Sequence, residues 1–480
     1  MRLTSSVLAC TLVATAVAVA SISAGGPQRQ PAGAARVSTR ALTTVRLAAD
    51  SLVARHRKMP EGGWAWRSSI QAPHFQTDRD VGAASVGEGL LAAYRVTGDK
   101  RYERAGVAAG DFLLGVAEPA DGGLRWPDWA DPDGGRSATH YTSFDDGAAG
   151  ISDYLWRLFE VTHERRFRTG ALAGMKWLVA QATGASCPET ACMWKWTDDP
   201  GSRVSYNGVG MGQAGIVLVL DAFADRTGSR VFRDYARAGA ARLREITENG
   251  RRPLPRGSEG ATFETGFLSG SAGAAYVFLE RHAQDGDPAD LRAAQRLLGW
   301  VNDRAVTATG GGLRWPVAED DASSAAGFEL GVAGIAWVNL RAARATGDPA
   351  YRTVARGAGS WLRRVQTVEG AWHELPGVAS SPVHVGLDSG TAGIAWVLDD
   401  LARSGIDPAA NRRAVRSALR RLQSGAASDR LGSFWYANTA GGRARLRAEP
   451  SWHWGSAGIA AFAARLAGWS GTGPGGQSAR

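Results

Sequence analysis

The feature that most constrains this chain is a short glycine motif that returns in phase. One copy reads Gly331-Val332-Ala333-Gly334-Ile335, and copies begin at Gly82, Gly147, Gly212, Gly270, Gly331, Gly390 and Gly455. The intervals are 65, 65, 58, 61, 59 and 65 residues. Each copy runs on to a stop signal such as Thr97-Gly98-Asp99, Thr227-Gly228-Ser229 or Thr346-Gly347-Asp348. Self-similarity at a nearly fixed period means one supersecondary unit stacked on its neighbours. A chain of 480 residues built this way reads as one closed body, although its length alone would allow two or three domains.

Each unit has three parts. The first is an amphipathic helix in which Tyr351, Val354, Ala358, Trp361, Leu362 and Val365 return every three or four positions, so one face is buried and the arginine-rich face is wet. Such helices are expected to start near residues 43, 100, 165, 230, 289, 349 and 408. The second part is a Gly/Trp loop or hairpin carrying Trp66, Trp126, Trp194, Trp315, Trp372 or Trp435; the fourth unit has Pro253-Leu254-Pro255 instead. The third is the helix headed by the glycines, apolar almost all round and therefore buried on all sides. Glycine in a helix costs roughly 1 kcal/mol against alanine, so close approach of a neighbouring backbone or ligand must justify it. Seven inner and seven outer helices that close on themselves make an all-α toroid with a central cavity. A straight solenoid would need polar end caps, and the last helix from Gly455 has none.

The ends read differently. Arg2 followed by an apolar run from Val7 to Ala20, with small residues at Ala18, Ala20 and Ala24, reads as a signal peptide over residues 1–24. The run is short for a membrane span, which needs about 20 apolar residues. Residues 25–40 read as a disordered leader, 41–470 as the toroid, and 471–480 as a Gly/Ser tail. A secreted or wall-associated monomer is expected. Cys187 and Cys192 flank a Pro-containing loop and are candidates for a local disulfide in an oxidising compartment. The net charge of +9 comes from arginines spread over helix faces among acidic neighbours, which points away from nucleic acid; attraction to anionic cell-wall polymers is compatible with it.

The seven in-phase copies, five of them reading Gly-x-x-Gly-Ile as in Gly147 to Ile151 and Gly390 to Ile394, resemble the lanthionine synthetase C-like family over about residues 43–468. That resemblance implies a seven-fold α/α toroid. It also implies a zinc ion held by two cysteines and a histidine just before the fifth and sixth repeat glycines, activating a peptide thiolate for addition to a dehydroamino acid. The matching positions here are Glu329 and Asp388-Ser389, and Met211 stands where the family has a histidine before the third repeat glycine. The resemblance therefore carries the fold over and leaves the zinc chemistry without its ligands. Oxygen donors suit calcium or another hard cation better than zinc, and no cofactor is expected.

Two residues before each repeat glycine stand Asp80, Asp145, Gly210, Leu268, Glu329, Asp388 and His453. In a closed toroid these would converge on one end of the cavity, with Asp146 beside them. Aspartate ahead of a helix is also what an N-cap looks like, but Glu329 and His453 are poor caps. Asp145, Asp146, Glu329, Asp388 and His453 are accordingly the candidate catalytic set, because crowded carboxylates raise one another's pKa and one can then act as acid beside an ionised partner. Asp80, Trp126, Trp315, His373, His384, Trp452 and Trp454 are candidates for binding the ligand. The ligand is a peptide if the family reading holds. It is a glycan if the acidic and aromatic mixture is decisive, an analogy with glycosidases on related α/α toroids. A purely binding toroid, in which the acidic groups are only caps, is the third reading.

Overall fold

A computed structural model describes residues 32–68, 74–258, 262–437 and 448–468, the first seven of these by backbone alone. The expected signal peptide and C-terminal tail lie outside the described residues. Fourteen α-helices alternate along the described chain. The outer ones are α1 (Ala32–Ala54), α3 (Lys100–Val116), α5 (Arg165–Ala180), α7 (Arg230–Ile246), α9 (Pro288–Asn302), α11 (Pro349–Arg364) and α13 (Pro408–Ser424). The inner ones are α2 (Ala83–Thr97), α4 (Ala148–Thr162), α6 (Gln213–Thr227), α8 (Ser271–Asp285), α10 (Val332–Thr346), α12 (Thr391–Arg403) and α14 (Ser456–Leu466). Each inner helix packs on the next, α14 packs on α2, and the first outer helix α1 covers α14, so the ring closes by joining the two ends of the chain. This is the α/α toroid, and the straight solenoid is excluded. Helix α1 begins at Ala32, inside the stretch read as a disordered leader; alanines at 32, 34 and 35 have the highest helix propensity of any residue. No helix among the described residues is long and apolar enough to cross a membrane.

The turn between an inner and the following outer helix is encoded in three residues. In the first unit Gly98, at φ 68, closes α2 with its N–H on the Tyr94 carbonyl, and Asp99 then caps α3 by accepting from Arg101 N at 2.9 Å. Ser229, Asp287 and Asp348 cap α7, α9 and α11 in the same way. At the opposite end of the body the outer helices run into two-stranded hairpins or loops. The hairpins are β1 (Arg57–Lys58) with β2 (Trp64–Ala65), β3 (Glu118–Ala120) with β4 (Gly123–Arg125), β5 (Val306–Thr307) with β6 (Leu313–Arg314), and β7 (Ala427–Asp429) with β8 (Gly432–Phe434), all antiparallel. In the third unit Cys187 and Cys192 are disulfide-bonded, with Cα atoms 5.1 Å apart.

The repeated tryptophan has one structural job. Its indole N–H donates to a carbonyl near the end of the preceding outer helix: Trp66 to Leu52, Trp126 to Leu113, Trp194 to Leu178, Trp315 to Val301, Trp372 to Leu362 and Trp435 to Leu422, all at 2.7–2.9 Å. Each indole ties its loop to the C-terminal turn of the outer helix, adding a donor to carbonyls some of which also accept a backbone N–H, and a large ring is buried in the same stroke. Trp126 and Trp315 are 3% and 1% exposed. They are wedges of the scaffold, which corrects the expectation that they bind the ligand. In the fourth unit Leu254 fills the corresponding space, fully buried, with its N–H on Ser271 Oγ at 3.0 Å.

Candidate active site at the mouth of the ring

The segment ahead of each inner helix folds back over that helix's first turn. Its carbonyls accept from the otherwise unpaired helical N–H groups, as Gln76 O does from Ala83 N at 2.9 Å and Ala325 O from Val332 N at 3.0 Å. The glycine pair makes this approach feasible. A Cβ on Gly331 would stand 2.3 Å from the Ala325 carbonyl oxygen, and one on Gly393 would stand 1.6 Å from that of Leu387. The N-cap residue of every inner helix is the first glycine, and none has a side-chain cap. The carboxylates two residues earlier are thus released from capping. Asp78 is the acidic residue that does hold an inner-helix entry, accepting from Val81 N and Gly82 N at 2.7 and 3.0 Å.

The released residues are tied to one another by their backbones. Asp80 N donates to Asp145 O (3.1 Å), Asp145 N to Gly210 O (3.0 Å), Gly210 N to Leu268 O (3.1 Å), Leu268 N to Glu329 O (2.9 Å) and Glu329 N to Asp388 O (2.9 Å). Leu387 N then donates to Trp452 O (3.1 Å) and His453 N to Asp80 O (3.5 Å), which completes the circuit. One residue earlier in each unit lies a second layer of Arg79, Phe144, Val209, Phe267, Phe328, Leu387 and Trp452, six of them apolar. Phe267 and Phe328 meet at 4.8 Å, and the Arg79 guanidinium lies 4.3 Å from the Phe144 ring centre.

His453 is the hub of the polar layer. Its Nδ1 hydrogen-bonds Asp80, its Nε2 lies 3.1 Å from Glu329 Oε2, and Asp388 Oδ2 is 3.8 Å from Nδ1. Ser389 Oγ donates to Glu329 at 2.8 Å and stands 3.3 Å from the same Nε2. Trp454 stacks on the imidazole at 4.1 Å, with the edge of His384 against its far side. Burial alone would lower the His453 pKa, but the Asp80 and Glu329 carboxylates raise it well above the usual value, which favours the charged imidazole. Burial would likewise raise Glu329, yet His453 and Ser389 hold it below the ordinary range. Asp388 goes the other way: burial, with Asp80 and Glu329 nearby, pushes it up to about 7 against the pull of His453. Burial and the Asp80 charge also push Asp146 up to about 7, although Trp196 Nε1 (3.1 Å) and Ser143 Oγ (3.2 Å) both donate to it. Asp145 rises well above its usual value through burial and the charges of Asp80 and Asp388. The Glu329–His453 pair, each partner favouring the other's charged form, thus stands beside Asp145, Asp388 and, one step outward, Asp146, three carboxyl groups whose pKa burial raises.

The structure brings Asp80, Asp145, Glu329, Asp388 and His453 together, with Asp146 one step outward among Tyr141, Trp196 and Tyr206. Of the candidates for binding, Trp454 and His384 border the layer. Trp452 is 1% exposed in the floor, and His373 holds its own loop through Ser381 O at 2.7 Å. Both are scaffold, as are Trp126 and Trp315. Arg79, Ser389 and Trp196 were not singled out as functional from the sequence. The signal for Arg79 is there in retrospect, since it is the one charged residue in an otherwise apolar repeat position.

The family's zinc ligand set is not reproduced: neither of its cysteines is present, and carboxylates stand in their place, hard oxygen donors that suit zinc-thiolate chemistry poorly. Ligand atoms of Asp80, Asp388 and His453 do lie within 4.8 Å of one another.

A closed ring of seven helix pairs with its polar groups at the inner-helix starts defines an α/α-toroid protein. The lanthionine synthetase C-like family model matches residues 140–385, half of the chain, and the chain belongs to that family. No curated protein matches it in sequence. Among solved structures it is similar to a D-mannose isomerase, at 14% identity over 73% of this chain and 92% of that one, with a TM-score of 0.51. It is also similar to the cellobiose 2-epimerase of Spirochaeta thermophila, at 16% identity over 83% and 99%, with a TM-score of 0.51. Nisin cyclase matches at 12% identity over 74% and 94%, with a TM-score of 0.47. At such identities the likeness is one of fold.

Proposed function

We propose that this chain is an exported lanthionine synthetase C-like toroid that performs acid–base chemistry without zinc on a hydroxyl-rich ligand, a glycan, held at the mouth of the ring. One observation carries the reading: Asp80, Asp145, Glu329, Asp388 and His453, from five different repeats, meet at the mouth with Asp146 beside them, and burial among these charges pushes Asp146 and Asp388 up to about 7. A group whose pKa sits near the working pH can both take and give a proton, which is what general acid–base catalysis asks of it. The aromatic faces of Trp454 beside His453 and of Trp196 beside Asp146 supply apolar walls for sugar rings. Export rests on the N-terminal apolar run.

Family membership favours a second reading, in which a peptide enters the same cavity and is bound or modified there. Zinc would lower a thiol's pKa, whereas a ring of carboxylates raises it. A peptide at this site would therefore be held or deprotonated at carbon or oxygen rather than activated as thiolate.

The test is turnover by the purified mature protein of neutral and acidic oligosaccharides and of dehydroamino-acid peptides, followed by mass spectrometry, for wild type, Asp388→Asn and Asp146→Asn. Glycan cleavage or isomerisation lost in both variants, with circular dichroism unchanged, supports the first reading. Conversion of peptide alone supports the second. Binding without turnover that both variants retain overturns the catalytic assignment.

A further inference from the structure

At the end of the axis opposite the mouth, the C-terminal halves of the inner helices line a cavity of about 580 Å3, reaching inward to Phe144. Its wall carries both signs of charge, five guanidiniums against four carboxylates, and the carboxylates are already engaged, Glu280 by the Tyr276 hydroxyl. Asp153 is bound by Arg157 and Arg226 at 2.6 and 2.7 Å, Glu160 accepts from Trp156 Nε1 at 2.9 Å with Arg226 3.8 Å away, and Asp225 lies 3.5 Å from Arg233. Three guanidiniums in the same wall, those of Arg95, Arg341 and Arg344, have no carboxylate within 4.0 Å among the described residues. Arg344 reaches only the Ser404 hydroxyl at 2.8 Å, and Arg341 lies over the Trp337 ring at 4.6 Å.

Arg95 and Arg344 sit in the last turns of α2 and α10, where a cation complements the helix dipole. That accounts for two of the three. It does not account for Arg341, one turn further in, which stacks a second positive charge beside Arg344 on the same face of α10. Burial, with Arg157 beside Arg95 and Arg341 beside Arg344, holds the Arg95 and Arg344 guanidiniums below their usual range, against the opposing pull of Glu88 and Glu160 on the first and of Asp400 on the second. We propose that this cavity is a second binding site, distinct from the mouth, for a compact multivalent oxyanion bearing two or three phosphate groups. Guanidinium forks match phosphate oxygens in pairs, and three of them facing one cavity are suited to several phosphates at once.

The experiment is isothermal titration of the full mature protein with inorganic tripolyphosphate at constant ionic strength, with sodium sulfate as the control for simple screening. Saturable one-to-one binding of tripolyphosphate is expected, at least tenfold tighter than sulfate. It should weaken at least tenfold in Arg341→Gln/Arg344→Gln and be unchanged in Asp146→Asn at the mouth. Ala222→Asp, which adds a carboxylate to the same wall and removes no existing ion pair, should weaken it as well and keeps the test open if the arginine variants fold poorly. Absence of saturable binding, equal binding of sulfate, or binding that both Ala222→Asp and the arginine variants leave unchanged would overturn the proposal. The second of these outcomes assigns the arginines to general screening, and the third places the anion on another basic surface.

Discussion

His453 Nε2 lies 3.1 Å from Glu329 Oε2, an ion pair that joins the seventh repeat to the fifth across the mouth of the ring. The sixth repeat passes between them in sequence, and its Ser389 completes the contact by donating to the same Glu329 oxygen.

Removing the hub should therefore leave several carboxylates without their cation. His453→Gln is expected to cost about 3–5 kcal/mol of unfolding free energy at pH 6, the usual result of breaking one side of a buried pair. Glu329→Gln in the same chain should recover part of that loss. Urea unfolding of both single variants and the double variant measures it, and strictly additive losses would show that the pair is not coupled.

The pH dependence follows from the raised carboxyl groups. Burial pushes Asp146 and Asp388 up to about 7 from an ordinary 3.8, so the folded state is expected to hold their protons more tightly. Their contribution to stability is complete below pH 3.8 and is lost as pH rises through about 7. His453, also raised, loses its contribution as pH climbs through its folded value, whereas Glu329, lowered, loses its own only in acid. Stability should accordingly fall between about pH 4 and 7 and stay low at pH 8. Asp146→Asn or Asp388→Asn should be more stable than wild type at pH 8, by up to about 4 kcal/mol from the size of the rise. Thermal unfolding across that range checks it, and a flat profile would contradict the proton assignment.

The glycine pair is expected to be sensitive to a single methyl group. Gly393→Ala would place Cβ 1.6 Å from the Leu387 carbonyl oxygen and should cost about 3 kcal/mol or more through displaced backbone. Gly299→Ala on α9 meets nothing within 4 Å and should stabilise by about 0.5–1 kcal/mol through helix propensity. Denaturation midpoints of the two variants should move in opposite directions.

Trp315→Phe keeps an aromatic ring and removes the donor to Val301 O. Val301 O still accepts from Arg304 N at 3.1 Å, so a loss of about 1–3 kcal/mol is expected from the missing indole bond and the cavity left by the smaller ring, with ligand affinity unchanged. A change in affinity without a change in stability would return Trp315 to the ligand site.

The sequence by itself determined the repeat, the helix count and most helix starts, because each is local. An apolar stripe every three or four residues makes an outer helix, Gly98-Asp99 ends one helix and caps the next, and six expected outer helices begin within one residue of where they fold. Only the tertiary structure decided what the polar groups do. Asp145 and Asp388 looked able to cap their helices, and Glu329 and His453 much less so, until backbone carbonyls were seen to fill that role, which leaves all four side chains free to meet across the ring. Trp126 and Trp315 share with Trp454 a residue type and a loop setting, yet two are wedges under outer helices and one stacks on the central histidine. The charge states at the mouth depend on closure, since a pKa is set by burial and by neighbours contributed from different repeats. No window of sequence contains Asp80 and His453 together; the closing of the ring between α14 and α2 brings them into contact.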